Sequence, residues 1–291
     1  MQTVSSLPTA KIICDSISPS PDHIRLTTME LKIHRFILAE LNTHRVFSRN
    51  SASSRAIPIS KIIEKIQTDP AMPVFWGANQ SGMQAKVELS ADKKEAAIYA
   101  WLKQRDAAIK TAKELSDIGV HKQLANRLLE PWLWHYVIVT STEWTNFFSQ
   151  RCNADSQPET QSAAMAAQFA YYTSKPKVVN FEDWHLPFIQ EDELTLDIEM
   201  LKKVSAARCA RVSYLSHDGK RDIEKDLQLY EKLASASPMH ASPFEHVATP
   251  QISFLENPKN FKGWIQMRNE FKNENSTKFI PNHPKLVNRE W

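Results

Sequence analysis

Hydrophobic and polar residues alternate along residues 23–41 in a pattern that predicts a strand followed by the start of a helix. The apolar positions of HIRLTTMELKI change register near Thr28. This change predicts a β-bulge or a twist near Thr28 that swaps the buried face of the strand. The next segment, FILAEL, predicts the start of a helix that carries His44 near its end.

Longer helical patterns follow. The spacing of alanines and leucines predicts a helix from Ser90, acting as a cap, to Ile118, and Gly119 is placed to end it. Residues 158–173 predict a helix with Pro158 in its first turn. The β-branched and aromatic residues of WHYVIVTSTEW predict a buried strand. Further helices are predicted over HKQLANRLLEP ending at Pro131, over about 194–207 and over about 220–236, after a connector at about 174–196.

The composition is that of an ordinary soluble globular protein. The chain has 291 residues, of which 42% are hydrophobic and 24% charged, and its net charge is +3. Its apolar runs are far shorter than the roughly 20 residues of a membrane span, and its N-terminus lacks the pattern of a secretory signal. We therefore expect a cytoplasmic protein without a membrane association. No Lys/Arg-rich run predicts a nucleic-acid partner.

Glycine usage excludes two common nucleotide-binding motifs. The chain has five glycines, and no spacing among them forms G-x-G-x-x-G or G-x-x-x-x-G-K. A Rossmann or P-loop phosphate cradle is therefore excluded. Any nucleotide must be held by side chains and helix ends.

Cysteine and histidine give no strong site. Cys14, Cys152 and Cys209 form no C-x-x-C pair, which predicts reduced, semi-buried thiols. Cys152 as a nucleophile is an alternative that its context does not favour. His240 and His246 are possible metal ligands, but no third ligand has a telling spacing, so no metal is predicted. The aromatic residues Trp132, Trp134 and Tyr136 are expected in the core or an interface.

The densest group of polar side chains is THRVFSRNSASSR, from Thr43 to Arg55. Its three arginines and several hydroxyls suit phosphate and planar carbonyl edges, because guanidinium groups bind such oxygens in pairs. A Ser-rich surface loop is the alternative interpretation of the same composition.

This segment resembles the signature of the flavin-dependent thymidylate synthase family. That signature reads R-H-R, seven residues, S and, two positions on, R. Here the same register gives Thr43-His44-Arg45, then Ser53 and Arg55, so that Thr43 stands in place of one arginine.

Other blocks of the family are similar to segments elsewhere in the chain. The family patterns A-R-x-L-L-P, N-F-x-x-L-R with A-Q-x-E, A-R-V-S-F and H-x-[ST]-P-F-E-H resemble, in that order, ANRLLEP (125–131), NFFSQR (146–151) with SQPE (156–159), ARVSY (210–214) and HASPFEH (240–246). In familiar members the last two blocks precede the signature, whereas here they follow it. The order therefore indicates a circular permutation, which a fold with neighbouring termini tolerates.

The strand-then-helix that should join P-F-E-H to the signature has two candidate copies, residues 23–41 and 247–268. We hypothesise that Gln266 and Arg268 of the second copy supply the glutamine and the arginine that the first copy lacks at Glu40 and Thr43.

The resemblance implies an α+β fold: one flavin-dependent thymidylate synthase-like domain over 1–291, with a mixed sheet, several long helices and no Rossmann motif. Its signature and nucleotide-binding part would be 23–173, and its permuted flavin-binding part 194–268. The family assembles as a homotetramer with the flavin at a subunit interface. The implied reaction is reductive methylation of dUMP to dTMP, with FAD as cofactor and methylenetetrahydrofolate and NADPH as co-substrates.

Site residues follow from the resemblance by position. Arg151 is expected at the carbonyl and ring-NH edge of the pyrimidine, where it favours the ionised ring and is the catalytic candidate. The flavin contacts are expected to be His44, Arg45, Val46, Asn146, Ser213, Ser242 and Glu245. The substrate contacts are expected to be Ser53, Ser54, Arg55, Arg127 and Arg151, together with Glu40, Ser51, Gln266 and Arg268.

Two departures leave the substrate open. Thr43 removes a charge near both ligands, and Ser51 stands where the family has an acidic residue that contacts both. A flavin-dependent methylase or hydroxymethylase of UMP or dCMP is therefore an alternative. A homologue without catalysis, acting as a nucleotide-binding module, is another.

Overall fold

The structure is a computed structural model that describes residues 6–214, 221–237, 239–253 and 255–272. Strands form a five-stranded sheet of order 3-4-2-1-5 and a separate two-stranded sheet. All neighbours in the larger sheet are antiparallel except strands 1 and 5. The strands are β1 (Thr9–Ile17), β2 (Arg25–His34), β3 (Ser48–Ser51), β4 (Trp134–Ser141), β5 (Lys177–Val178), β6 (Ala248–Pro250) and β7 (Trp264–Gln266).

Helices lie between and after the strands of the larger sheet, so the fold is α+β with a mixed sheet, as predicted. Four of the helices are longer than ten residues. The α-helices are α1 (Leu38–Asn42), α2 (Ile59–Thr68), α3 (Ala91–Asp117), α4 (Lys122–Ala125), α5 (Thr145–Arg151), α6 (Pro158–Thr173), α7 (Ile198–Ala210) and α8 (Ile223–Ala234). Short 3-10 helices include Asn126–Trp132, Arg211–Tyr214, Ser242–Glu245 and Met267–Glu270.

The centre of the sheet is the β2–β4 pair, which is regular from Thr27 opposite Ser141 to His34 opposite Trp134. Side chains of one strand alternate between two faces. Met29 and Leu31 therefore share one face, where they pack with Val137 and Val139 beneath the alanines of α6. This buried layer holds the sheet that carries the signature segment.

Two further clusters of buried apolar residues lie outside this layer. The isoleucines of α2 pack against α3 and the Asn126–Trp132 helix, around Ile62, Ile66 and Leu129. In the second cluster, Phe244 and Val247 pack with Met267 against α7 and α8. The C-terminal segment is thus anchored next to the sheet by its own apolar residues.

Several predicted elements are confirmed. α6 begins at Pro158 and ends at Thr173, as the sequence predicts, and β4 is a buried strand. α3 begins directly after Ser90, and Gly119 has a φ of +89°, a left-handed conformation that glycine adopts without steric cost. The Ser90 side chain, however, makes no capping hydrogen bond.

An irregularity lies near Thr28, as predicted, but it is not in β2 itself, which is regular on its β4 side. The irregularity lies in β1, between Ile12 and Cys14, opposite Met29 and Thr28. β2 changes its apolar register because both of its faces are covered: Leu26 packs with another core cluster, around Trp264. Burial on both faces removes the alternation from which the bulge was inferred.

Two helix predictions also need correction. HKQLANRLLEP is a four-residue α4 followed by a 3-10 helix that continues through Pro131 to Trp132. Residues 247–268 do not repeat a strand-then-helix, since β6 and β7 pair with each other as a hairpin. Gly263, with a φ of +64°, precedes β7, and within the described residues up to 272 a single turn, Met267–Glu270, follows it. The Asn-Pro and Gly residues of this segment favour turns over a helix.

Candidate functional site

The signature segment Thr43–Arg55 runs from the end of α1 through the edge strand β3 into the turn before α2. α1 ends here because Thr43 uses its hydroxyl to donate to the Glu40 carbonyl, at 2.7 Å. β3 then pairs with β4, with Ser48 opposite Thr140 and Ser51 opposite Val137. Because β3 lies at the sheet edge, its outer side is open to segments from elsewhere in the chain.

At the start of the segment, Arg151 contacts His44. The Arg151 Nε donates to the Nε2 of His44 at 2.9 Å, and its Nη2 donates to the Thr43 hydroxyl at 3.1 Å. Burial first, and then the charges of Arg151 and Arg49, lower the pKa of His44 to about 4. His44 is therefore a neutral acceptor at neutral pH, and Arg151 keeps its full charge. No carboxylate among the described residues is ion-paired with Arg151.

Arg49 belongs to the same end of the segment. Its Nη1 donates to the Leu41 carbonyl at 3.1 Å and to the His44 carbonyl at 3.4 Å, which fixes the turn between α1 and β3. Glu40 has one buried carboxylate oxygen, Oε2, without a hydrogen-bond partner. A buried polar atom in this state is costly unless a ligand or water satisfies it.

The C-terminal segment binds the signature directly. Gln266 donates from Nε2 to the Ser48 hydroxyl at 3.1 Å, and the Asn260 amide donates to the same hydroxyl at 3.0 Å. Asn260 also donates to the Val46 carbonyl at 3.0 Å. From α7, the Cys209 carbonyl accepts from the Asn50 amide at 3.1 Å. The blocks that follow Arg151 in sequence therefore return to the signature strand in space.

The P-F-E-H block also belongs to the C-terminal segment that contacts the signature. Pro243 and Phe244 are buried, which leaves Ser242 exposed and Glu245 half-buried at the surface of the block. Glu245 forms an ion pair with Arg268. Its charge also acts on Arg49 of β3. Ser213 lies in the helix Arg211–Tyr214, and its side chain is outside the described part of the structure.

Three other expected flavin contacts are at the surface. Arg45 and Val46 are exposed in the turn that leads to β3, and Asn146 is exposed in the first turn of α5. Arg45 offers a cation and Asn146 an amide, both open to a ligand. These donor types fit a flavin dinucleotide, which presents phosphate oxygens and the edge of a heterocycle.

At the other end of the segment, one carboxylate oxygen accepts three hydrogen bonds. Oε1 of Glu130 accepts from the Ser54 hydroxyl at 2.7 Å, from Arg127 Nη1 at 2.7 Å and from Arg35 Nη2 at 3.3 Å. These hydrogen bonds and the two guanidinium charges outweigh burial and hold the pKa of Glu130 below its usual value. Glu130 is thus an anion at neutral pH.

A buried side chain holds the backbone at this end of the segment by hydrogen bonds. The buried amide of Asn126 donates to the Ser54 carbonyl at 2.7 Å and to the Ile57 carbonyl at 3.0 Å. Arg55 and Arg127 line an open cavity of about 610 Å³ together with His121 and Gln123. The structure thus brings Ser54, Arg55 and Arg127 to one end of the segment, while His44 and Arg151 meet at the other. Ser51 is exposed and Ser53 half-buried between them.

Sequence reasoning missed Asn260 and Glu130. Asn260 belongs to no motif, and no pattern in the sequence reveals its contact with Ser48. Glu130 lies within ANRLLEP, at the position where the family pattern has a leucine before its proline, and this difference is the one signal in the sequence that could have identified it. Its contact with Arg35 joins residues 95 positions apart and could not be foreseen.

A buried chain of hydrogen bonds lies beneath the P-F-E-H block. His246 Nδ1 pairs with the Thr140 hydroxyl at 2.7 Å, Thr140 with Thr28 at 2.6 Å, and Thr28 with His185 Nε2 at 2.8 Å. Burial lowers the pKa of both histidines to about 3. These neutral side chains tie β2 and β4 to the C-terminal segment.

Other candidate chemistry is absent from the part of the chain that the structure describes. No cluster of three or more metal-ligating side chains is found there, and His246 is committed to Thr140. Cys14, Cys152 and Cys209 are free thiols, and burial raises the pKa of each. Trp132 and Trp134 are core residues. Among the described helices, none has the length and apolar character to span a membrane.

Comparison with known proteins identifies the family. The profile of the thymidylate synthase complementing protein family matches residues 19–172, which is more than half of the chain. The chain belongs to the thymidylate synthase complementing protein family, as the signature predicted.

Two solved structures are also similar to the chain. They are the UMP/dUMP methylase PolB from Streptomyces cacaoi bound with 5-Br dUMP and the same protein bound with 5-Br UMP. The first is 16% identical with a TM-score of 0.47, and covers 57% of this chain and 90% of that chain. The second is 15% identical with a TM-score of 0.46, and covers 60% and 91%. No curated protein matches the sequence.

Proposed function

We propose that this protein is an FAD-dependent thymidylate synthase, which methylates dUMP to dTMP with methylenetetrahydrofolate as carbon donor and NADPH as reductant. The observation that carries the proposal is the Arg151–His44 pair at the start of the signature segment. There, a guanidinium without a carboxylate partner among the described residues is held by a neutral imidazole. Family membership supplies the reaction class.

Arg151 has the charge that activation of a pyrimidine requires. A guanidinium beside the ring NH and carbonyl stabilises the ring anion and lowers the pKa of that NH. The extra electron density raises nucleophilicity at the ring carbon that is alkylated. His44 contributes by orienting the guanidinium: it accepts from Nε and leaves Nη1 for the pyrimidine. Preorganised charge of this kind is often the largest single catalytic contribution.

The flavin would be held by His44, Arg45, Val46 and Asn146, and by Ser242, Glu245 and Ser213 of the C-terminal blocks. When bound and reduced, it supplies the hydride that completes the methyl group. The unpartnered Oε1 of Gln266 and Oε2 of Glu40, both buried near the segment, support the presence of a ligand with hydrogen-bond donors.

The nucleotide phosphate would be held by Ser53, Ser54, Arg55 and Arg127. Arg55 and Arg127 line the same cavity, and Ser54 and Arg127 already converge on one anion, the Glu130 carboxylate. Ser51 would lie between phosphate and ring. The site would be completed in a homotetramer, within a single domain over 1–291 made of the 23–173 and 194–268 parts, and the enzyme would act in the cytoplasm.

Gln266 and Arg268 would replace the missing side chains at Glu40 and Thr43. Gln266 contacts Ser48 of the signature, and Arg268 is paired with Glu245 of the flavin block. Arg268→Ala is therefore expected to weaken binding of both FAD and dUMP. Arg105→Ala is the matched control, since Arg105 on α3 also pairs with one acid, Asp106. Unchanged affinities in Arg268→Ala would show that the replacement does not occur.

A second candidate is the same chemistry on another pyrimidine nucleotide, UMP or dCMP, or delivery of a hydroxymethyl group. Two departures favour it. Thr43 takes a hydrogen bond from Arg151 where the family has a further arginine, and Ser51 replaces an acid. Both changes alter the charge around the nucleotide.

The deciding experiment is incubation of FAD-loaded protein with dUMP, UMP or dCMP, methylenetetrahydrofolate and NADPH, with products identified by mass. The proposal expects a gain of one methyl group on dUMP. A methyl or hydroxymethyl product from UMP or dCMP alone would establish the second candidate. Absence of turnover with all three nucleotides, in protein that binds them, would indicate a non-catalytic nucleotide-binding homologue.

A further inference from the structure

The carboxylate of Glu130 lies where an anionic ligand of the signature segment would bind. Its Oε1 accepts from Ser54 and Arg127, both at 2.7 Å, and from Arg35 at 3.3 Å. Two of these three donors, Ser54 and Arg127, are among the four side chains that the proposed function gives to the nucleotide phosphate. A carboxylate and a phosphate oxygen compete for the same donors because both are anionic acceptors.

The position of this acid departs from the family pattern that the segment resembles. The family pattern A-R-x-L-L-P has a leucine directly before its proline, and here Glu130 precedes Pro131. The residue lies in the Asn126–Trp132 helix, one turn after Arg127, so its side chain reaches Arg127 within that helix. The pair with Ser54 then joins this helix to the signature segment.

Glu130 also lowers the net charge of the cluster that it forms with Arg35 and Arg127. Arg35 and Arg127 carry two positive charges, and Glu130 cancels one of them. Glu130 is only partly buried, with 20% of its side chain exposed, and Arg127 is 44% exposed. The ion pair is therefore not locked in the interior, and a rotation of either side chain can open it.

We propose that Glu130 is a specificity-determining residue, an internal anion that competes with the substrate phosphate for Ser54 and Arg127. The inference rests on the proposed function, which assigns the phosphate to these donors. Binding of a nucleoside monophosphate then requires the carboxylate to leave its donors, and this displacement lowers affinity for the phosphate group. The site consequently gains less from the phosphate than an arginine pair without a carboxylate would.

The test compares Glu130→Gln with wild-type protein in the FAD-loaded state, with dUMP and deoxyuridine as probes in calorimetric titrations. Glutamine keeps the shape and an acceptor oxygen but removes the charge. Affinity for dUMP is expected to rise about tenfold, because a like charge next to the phosphate is removed. Affinity for deoxyuridine is expected to stay the same, since it has no phosphate.

Two further variants secure the result. Glu130→Leu restores the residue of the family pattern and is expected to raise dUMP affinity in the same direction, which keeps the test informative if the glutamine variant folds poorly. Glu88→Gln is the matched control, because Glu88 forms an exposed ion pair with Lys94 and its loss changes the net charge equally. This control is expected to leave both affinities unchanged.

The outcomes separate this inference from the proposed function. Equal or weaker dUMP binding in both Glu130 variants would overturn the inference and would show that Glu130 merely orients Arg127. If neither dUMP nor deoxyuridine binds to any form, the proposed function fails. Inorganic phosphate, followed by its 31P resonance, then tests the competition alone: tighter binding in Glu130→Gln supports it, and equal binding overturns it.

Discussion

The two ends of the Thr43–Arg55 segment hold their arginines in different electrostatic states. At the first end, Arg151 donates to His44 and Thr43, which are neutral, and its charge remains uncompensated among the described residues. At the second end, Arg127 and Ser54 donate to the ionised Glu130. An uncompensated cation can stabilise charge that develops during a reaction, whereas a compensated one must first exchange its partner.

This difference assigns separate tasks to similar side chains. The first end is half-buried, and the lowered pKa of His44 keeps its imidazole neutral at neutral pH, so that His44 accepts from Arg151 without adding a charge of its own. The second end is open, and its charge depends on where Glu130 lies. We expect the first end to govern the rate of chemistry and the second to govern affinity for the phosphate.

The largest effect is expected at the first end. Arg151→Ala removes the uncompensated charge and should lower kcat by about 100-fold or more, the range seen when a preorganised donor is removed. Single-turnover rates with FAD-loaded protein measure the effect directly. Arg151→Lys keeps the charge without the guanidinium geometry, so its kcat should lie between that of wild type and that of Arg151→Ala. Wild-type rates in Arg151→Ala would show that this arginine has no catalytic role.

A smaller effect is expected at the second end. Arg127→Ala should raise the Kd for dUMP by about tenfold, the value of one charged hydrogen bond, while kcat at saturation stays within a few-fold of wild type. The same change should not affect the Kd for deoxyuridine. A fall in kcat comparable to that of Arg151→Ala would remove the distinction between the two ends.

The neutral state of His44 predicts a pH effect on stability. Its pKa is about 4 in the folded protein and about 6.5 when unfolded, so the unfolded chain takes up the proton first as pH falls. Stability from this residue is therefore full above about pH 6.5 and decreases as pH falls toward 4. His44→Gln keeps an acceptor for Arg151 and should reduce the loss of unfolding free energy between pH 7 and 5 by about 2 kcal/mol.

Denaturant titrations at both pH values provide that measurement. His135, His185 and His246 also have lowered pKa values, near 3, but they contribute equally to wild type and variant and cancel in the difference. An identical pH dependence in His44→Gln would mean that His44 is not held neutral.

The smallest effect is expected from Ser54→Ala. It removes one of three donors to Glu130 and should cost about 0.5–1 kcal/mol of unfolding free energy, the net value of a part-buried hydrogen bond. Because Ser54 is also a proposed phosphate donor, the Kd for dUMP should rise a few-fold. Thermal and chemical unfolding measure the first change and calorimetry the second. An increase in stability would show that the contact with Glu130 is not favourable.

The limits of sequence reasoning differ for the two ends. The long helices α3 and α6 were predicted because local propensity and periodicity decide them. The sequence predicts His44 and Arg151 as site residues from two separate family patterns, the signature and N-F-x-x-L-R, but it does not predict the hydrogen bond between them. The Ser54–Glu130 contact joins residues 76 positions apart, and a side chain that neutralises a binding arginine leaves no periodic signal. The β6–β7 hairpin was missed because its turn residues outweigh a weak helical pattern.

The most direct test of the central claim, that the signature segment and the returning C-terminal blocks form one flavin and nucleotide site, is a spectral titration. Protein reconstituted with FAD is titrated with dUMP while the flavin absorbance is recorded. We expect stoichiometric FAD uptake and a saturable change in the flavin spectrum on addition of dUMP, since both ligands would contact the His44–Arg151 end. Protein that takes up no FAD, or whose flavin spectrum does not respond to dUMP, UMP or dCMP, would contradict it.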